Sequence, residues 1–401
     1  MRFPGFNTRI IRSFFSTATL LLTAVIAFSS AAFAQTISTA AKHAILIDAG
    51  TNSVLFQKEA DEPIPPASIS KLMTMAVLFD AIKAGEVSLD DEFFISEDAW
   101  RRGGANSGGS TMFAKLDDTI RVEDLMRGVI VQSGNDASIA IAENMAGVEA
   151  SFAGRMTEFA REIGLKTSTF MNATGLPDEG HVMTAREMAI LAKHLIEEYP
   201  DFYPIYSETE FEWNGINQFN RNPLLRMSIG ADGLKTGFTQ ESGYSLVGSA
   251  VQNGQRLIVV VTGLPTRQAR ANEARKLLTW GFRSFDSVTL FGADETVGHA
   301  TVFGGSIRRL PLDGDGEVQM LRPRGDRGRL RGRIVYRGPL MAPIDAGTPV
   351  ATLQVESDER LILETPLYAS VDVPKGPLHR RAMDALYELG AGFIFGGDED
   401  E

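Results

Sequence analysis

The 401-residue chain contains no cysteine. That absence excludes a disulfide framework, a thiol nucleophile and a lipid-modified cysteine, leaving packing to hold the fold together. Histidine is scarce as well: His43, His181, His194, His299 and His379 are the five present, and none stands in a recognisable triad context. Past the N-terminal segment no apolar run approaches the roughly 20 residues a membrane-spanning helix needs. Basic residues are the minority, with 39 Lys+Arg against 51 Asp+Glu, which argues against a nucleic-acid partner.

What is present begins with Arg2, Arg9 and Arg12 ahead of an apolar run from about Phe14 to Phe28, followed by Ala32-Phe33-Ala34. This is the pattern of a cleaved signal peptide over residues 1–34, the rival being an uncleaved anchor helix, for which the run is short. Export is the expected consequence. Those 34 residues hold three of the 39 basic residues and no acid, so the rest has 36 against 51, a formal charge of −15. At 44% hydrophobic and 22% charged, the remainder can bury ordinary cores.

Ala44–Ile47 and Ser53–Phe56 flank a turn rich in Gly, Asn and Asp, which predicts a β-hairpin. From Ser68 the apolar residues Leu72, Met75, Ala76, Phe79 and Ile82 recur at three and four, predicting a helix that buries one stripe. Helical patterns follow at about 122–132, 136–145, 150–163 and 185–198, with a Gly-rich loop at Arg101–Gly109. Strands return over Tyr244–Val251 and Arg256–Thr262, and 272–282 closes as a helix. A strand hairpin, a helical middle and returning strands make an α+β layout in which early and late strands share one sheet. Composition changes near Ser287, after which strand-length segments separated by Gly, Pro and Asp read as a small all-β domain. The expected organisation is thus a signal peptide (1–34), a catalytic domain (35–286), a β-rich domain (287–374) and a tail (375–401).

Within the β-rich part, Arg322, Arg324, Arg327, Arg329, Arg331, Arg333 and Arg337 form a basic stretch, the four from Arg327 to Arg333 alternating onto one strand face. A solvated face is the plain reading; a contact for anionic lipid or cell-wall polymer is the sharper one.

Three short motifs carry the chemistry: Ser68-Ile69-Ser70-Lys71, Ser133-Gly134-Asn135 and Lys235-Thr236-Gly237. Ser68 at a helix start and Lys71 one turn later leave the same face and can meet. A serine hydroxyl needs a base to become a nucleophile, and a lysine serves when burial beside a second cation favours its neutral amine. Lys235 is the expected second cation. Lys71 would then take the Ser68 proton, Ser133 would help pass it to the leaving group, and Asn135 would orient the substrate amide. No cofactor or metal is implied.

Each motif alone is weak, since S-x-x-K is usually a capping serine and K-T-G usually a turn. Together and in this order they match the set carried by serine acyl-transfer enzymes that bind penicillin. The flanking residues Pro66–Thr74, Gln132–Ala137, Asp232–Gly237, Gly243-Tyr244 and Lys276–Phe282 resemble the low-molecular-mass D-alanyl-D-alanine carboxypeptidases, penicillin-binding proteins of peptidase family S11. That resemblance implies the serine β-lactamase/DD-peptidase fold, transpeptidase-like, followed by a small all-β domain. It implies removal of the terminal D-Ala from peptidoglycan stem pentapeptides through an acyl-enzyme on Ser68, with β-lactams as covalent inhibitors. It maps oxyanion-hole N–H groups onto Ser68 and Phe238, where the family commonly has His, and includes Gly237 among the substrate-binding residues. It also maps a carboxylate-binding arginine onto Arg270, acting with Thr236 and Lys235; an exposed loop arginine is the plain alternative.

A serine β-lactamase would need a deacylating glutamate in an E-x-x-L-N loop. No glutamate between Asn135 and Lys235 begins one, and Asn172–Asp178 reads Asn-Ala-Thr-Gly-Leu-Pro-Asp instead. A DD-endopeptidase of the same clan is the other alternative. Residues 377–396 are spaced as an amphipathic helix, which in the family lies on the periplasmic face of the inner membrane, although Gly390, Gly392 and the acidic Asp398–Glu401 depart from that pattern.

Overall fold

The computed structural model describes residues 37–324, 328–357, 360–379 and 381. The expected signal peptide, nearly all of the expected tail helix, and Arg327 lie outside the described residues.

The N-terminal hairpin forms as its sequence predicts. Strands β1 (His43–Asp48) and β2 (Val54–Lys58) run antiparallel, and Asp48 accepts from the Thr51 amide and hydroxyl across the turn. The second partner of β1 comes from far along the chain. Strands β3 (Ala231–Thr239), β4 (Gly243–Gln252) and β5 (Gln255–Leu264) form an antiparallel meander, and β5 closes onto β1 with His43 opposite Thr262. The sheet order is β2-β1-β5-β4-β3, so early and late strands share it. Six consecutive residues in each of β4 and β5 are buried, which requires cover on both faces.

The helices are α1 (Lys71–Lys83), α2 (Val122–Ile130), α3 (Asn135–Ala146), α4 (Glu149–Glu162), α5 (Ala185–Glu198) and α6 (Arg267–Ser284). Contrary to the one-stripe expectation, α1 is buried on all sides from Lys71 to Phe79, because α3, α4, α5 and α2 all pack around it. Ser68 is not in its first turn but in a 3₁₀ turn, Ala67–Ser70, that leads into it. Thr184 caps α5 by accepting from the Glu187 amide, and Thr266 caps α6 by accepting from the Ala269 amide. The second cap starts α6 five residues before the predicted 272, because residues 267–271 are too polar to show apolar periodicity. The Arg101–Gly109 segment is a π-helical turn (Ala99–Gly103) and a 3₁₀ turn (Ala105–Ser107) rather than a plain loop.

Between Phe285 and Ala369 the regular elements among the described residues are strands: β6 (Phe285–Phe291), β7 (Gly298–Phe303), β8 (Arg309–Asp313), β9 (Val318–Pro323), β10 (Leu330–Val335), β11 (Leu340–Met341), β12 (Pro349–Ser357) and β13 (Arg360–Ala369). β6 pairs with β9, and the others form a six-stranded sheet of order β10-β12-β13-β8-β7-β11. Its core, around Leu310, Leu312, Met320, Leu353, Leu363 and Leu367, is separate from the larger core around α1. The hairpin turn joins the two regions, since the Ser53 hydroxyl, wholly buried, accepts from the Leu321 amide at 2.8 Å. Arg329, Arg331 and Arg333 are exposed on and beside β10, an edge strand, and Arg333 pairs with Glu356.

Candidate active site

The three motifs arrive from three different elements. Ser68 lies in the 3₁₀ turn before α1, Ser133 and Asn135 lie at the start of α3, and Lys235–Phe238 run along β3, the edge strand of the main sheet. Two of the approaches use non-glycine residues in the left-handed region, Ala67 at φ 50° and Ser133 at φ 64°, a strain of the kind concentrated at functional sites.

Glycine makes the approach of neighbouring backbone possible. Gly175 has φ +76°, and a Cβ there would sit 1.9 Å from the Ala67 carbonyl oxygen. Gly237 lets β3 lie against the same turn, with Ala67 Cβ, Ile69 Cγ1 and the Pro66 carbonyl oxygen each 3.2 Å from where its Cβ would be.

Lys71 is wholly buried and its Nζ touches three oxygens: Asn135 Oδ1 at 2.7 Å, the Thr174 carbonyl at 2.5 Å and Ser68 Oγ at 3.3 Å. Burial, with the positive charge of Arg221 next, lowers the amine to about 7, against weaker opposition from Asp136 and Glu149. Lys235 is also buried and pushed well down, first by burial and then by Lys71, Arg221 and Arg270; among the described residues its Nζ donates to the Thr236 carbonyl alone, at 3.3 Å. Lys71 and Lys235 thus act on each other in the cleft, and Arg221 adds its positive charge to both. Arg221 donates to Ser110 Oγ at 2.7 Å. Sequence reasoning missed it, because it stands alone in an irregular segment between two asparagines.

Arg270 lies in the first turn of α6, 7% exposed, so the exposed-loop alternative is overturned. Its guanidinium lies 5.9 Å from the Tyr244 ring centroid, its Nε has no hydrogen-bond partner, and no carboxylate pairs with it among the described residues. Burial and Arg267 lower it to about 10. Phe238 is 45% exposed and stacks on Tyr244 with centroids 4.2 Å apart. Ser133 Oγ is buried without a partner, and Asn135 Nδ2 has none among the described residues.

Two side chains hold this arrangement from behind. Asp136 is wholly buried and accepts from the Thr111 hydroxyl and from the amides of Met112, Ala114 and Ala137, tying residues 111–114 to α3. Asn172 Oδ1 accepts from Thr174 and Gly175 while its Nδ2 donates to the Leu176 carbonyl, which fixes the segment that supplies the Thr174 oxygen to Lys71.

The cleft therefore joins a serine to a weakly basic lysine and gathers several cations that form no ion pair among the described residues, a combination suited to acyl transfer on an anionic substrate. The family model described as D-alanyl-D-alanine carboxypeptidase matches residues 29–266, well over half of the chain. The chain belongs to the D-alanyl-D-alanine carboxypeptidase family. A second model, the C-terminal domain of penicillin-binding protein 5, matches residues 285–375 of this carboxypeptidase. The D-alanyl-D-alanine carboxypeptidase DacC of Escherichia coli (strain K12) is 40% identical over 371 residues, covering 92% of this chain and 93% of that protein. The crystal structure of penicillin-binding protein 5 from Haemophilus influenzae has a TM-score of 0.68 at 35% identity, over 84% of this chain and 99% of that one. Penicillin-binding protein D2 of Listeria monocytogenes, in its cefotaxime-bound form, has a TM-score of 0.56 at 29% identity, over 62% and 99%. The carboxypeptidase is thus a serine DD-peptidase in fold and family.

Proposed function

We propose that this serine DD-carboxypeptidase releases the terminal D-Ala of peptidoglycan stem pentapeptides with Ser68 as nucleophile and Lys71 as base. Lys71 takes the hydroxyl proton as Ser68 Oγ bonds to the penultimate D-Ala carbonyl carbon. The backbone N–H groups of Ser68 and Phe238 receive the oxyanion, and Asn135 with Thr236 and Gly237 aligns the peptide. The proton reaches the departing D-Ala nitrogen through Ser133, the C–N bond breaks, and water then hydrolyses the ester. Arg270 carries the exopeptidase reading. A buried guanidinium without an anion is costly, and a substrate carboxylate shared with Lys235 and Thr236 relieves that cost.

A β-lactam acylates the same serine and stays, because the chain has no E-x-x-L-N glutamate to speed deacylation. The test follows D-Ala release from a pentapeptide ending in D-Ala-D-Ala, with Ser68→Ala as control. Release by the wild type alone supports the reading; penicillin labelling without any release would sink it.

The same reading takes the protein to the periplasm, with residues 377–396 on the inner-membrane surface. Flotation with anionic liposomes, with and without residues 377–401, tests that location, and equal flotation would exclude the tail as anchor.

A further inference from the structure

Arg270 is held without hydrogen bonds to its side chain among the described residues, although that side chain is nearly buried. It lies in the first turn of α6, the positive end of that helix, where Arg267 stands close by and no acid offsets either charge. A long side chain in that state has several rotamers open to it. What the guanidinium lies against is the Tyr244 ring, its Cζ 5.9 Å from the centroid, within the range of a cation–π contact.

Tyr244 is in turn fixed from the neighbouring strand. Phe238 on β3 stands directly opposite Tyr244 on β4, and their rings stack with centroids 4.2 Å apart and planes 28° from parallel. The turn that sets this register is locked from both ends. The Thr239 amide donates to Ser242 Oγ at 3.2 Å, the Ser242 amide donates back to Thr239 Oγ1 at 3.0 Å, and Gly243 takes a φ of +66°. Because β3 is the edge of its sheet and the Phe238 ring is half exposed, core burial does not account for an aromatic side chain here. A flat partner for Tyr244 does.

We propose that Phe238 and Tyr244 form an aromatic stack that positions Arg270 for the terminal carboxylate of the substrate, so that both side chains set the preference for a free C-terminus. A guanidinium lying on a ring keeps the N–H groups of its edge free, and those are the groups that fork onto a carboxylate. The stack thus directs Arg270 without occupying its donors. This assignment rests on the carboxypeptidase reading of the same cleft, in which Arg270 meets that carboxylate.

The experiment compares release of the terminal residue from an N-acetylated peptide ending in D-Ala-D-Ala and from the same peptide with a C-terminal amide. The wild type should favour the free carboxylate. Phe238→Ala should lower that ratio of kcat/KM values about tenfold, with the loss on the free acid falling mainly on KM, as for an interaction made alike in ground and transition states. Tyr244→Leu should lower the ratio at least as far, whereas Phe238→Tyr, which keeps a stacked ring, should preserve it. With Arg270→Ala already in place, adding Phe238→Ala should lower the ratio no further, because two residues acting through one contact are not additive. Penicillin labelling shows which variants are folded, and should Tyr244→Leu fail to label, the Phe238 variants decide alone. A ratio unmoved by Phe238→Ala, or lowered equally once Arg270 is gone, overturns the stack and leaves the carboxypeptidase reading standing. Release without any preference for the free carboxylate overturns the role of Arg270 and the stack with it. Labelling with no release from either peptide overturns the carboxypeptidase reading itself.

Discussion

Lys71 Nζ donates to Asn135 Oδ1 at 2.7 Å, a bond that joins the first catalytic motif to the second across 64 positions. A neutral amine has two N–H donors and one lone pair. Asn135 and the Thr174 carbonyl accept both donors, so the lone pair is left for Ser68 Oγ at 3.3 Å. The two acceptors thereby aim the base as well as hold it.

The protonated form of Lys71 has no lone pair to offer, so acylation must rise with pH as the amine loses its proton. With the amine lowered to about 7, the rate of penicillin acylation should climb from pH 5 to pH 8 and level off above. The rate at pH 5 should be about one hundredth of the plateau, since each pH unit below the midpoint costs about tenfold. Stopped-flow acylation across that range checks it; a flat profile would remove Lys71 as the base.

Replacing Asn135 by Asp keeps an oxygen near Lys71 but adds a negative charge, which favours the ammonium. Asn135→Asp should move the acylation midpoint alkaline by about one unit or more. Asn135→Ala should instead lower the plateau by roughly 100-fold, because one N–H is no longer directed. A common pH profile for all three proteins would contradict the aiming argument.

Gly175 stands where any Cβ would collide with the Ala67 carbonyl, and its φ of +76° is unfavourable to other residues. Gly175→Ala should cost about 3 kcal/mol or more of stability. Because Ala67 carries Ser68, penicillin acylation should slow as well. Denaturant unfolding together with acylation kinetics measures both effects.

Arg270→Ala should cost about 30-fold or more in kcat/KM on peptides ending in a free carboxylate, the effect of unpairing a buried charged contact. C-terminally amidated peptides should lose far less. Equal losses on the two would place Arg270 in the scaffold rather than at the substrate.

Much of this fold could be read from the residues because each signal was local. The Ala44–Phe56 hairpin, the 3.6-residue periodicity of α5 and the continuous strand-length runs of β4 and β5 are properties of short windows. The site was legible only as motifs. Nothing near Ser68 in the sequence shows that it sits in a 3₁₀ turn held by Gly175, a hundred residues away. Arg221 has no motif, and its effect on Lys71 comes from tertiary placement alone. Asp136 could be seen beside Asn135, but its four hydrogen-bond donors are supplied by residues 111–114 and by Ala137. Arg270 was misplaced by the expected helix start at 272 because the cap at Thr266 precedes a polar first turn.

The pairing of β1 with β5 sets a timetable for synthesis. His43 and Thr262 are 219 positions apart, so β1, paired on its other side with β2, has one open edge until nearly two thirds of the polypeptide has been made. At about 5–20 residues per second, a ribosome takes roughly 10–40 s to cover that distance. Throughout that interval the apolar strand β1 is available for wrong pairings, and a chaperone that binds extended apolar segments has its longest opportunity there.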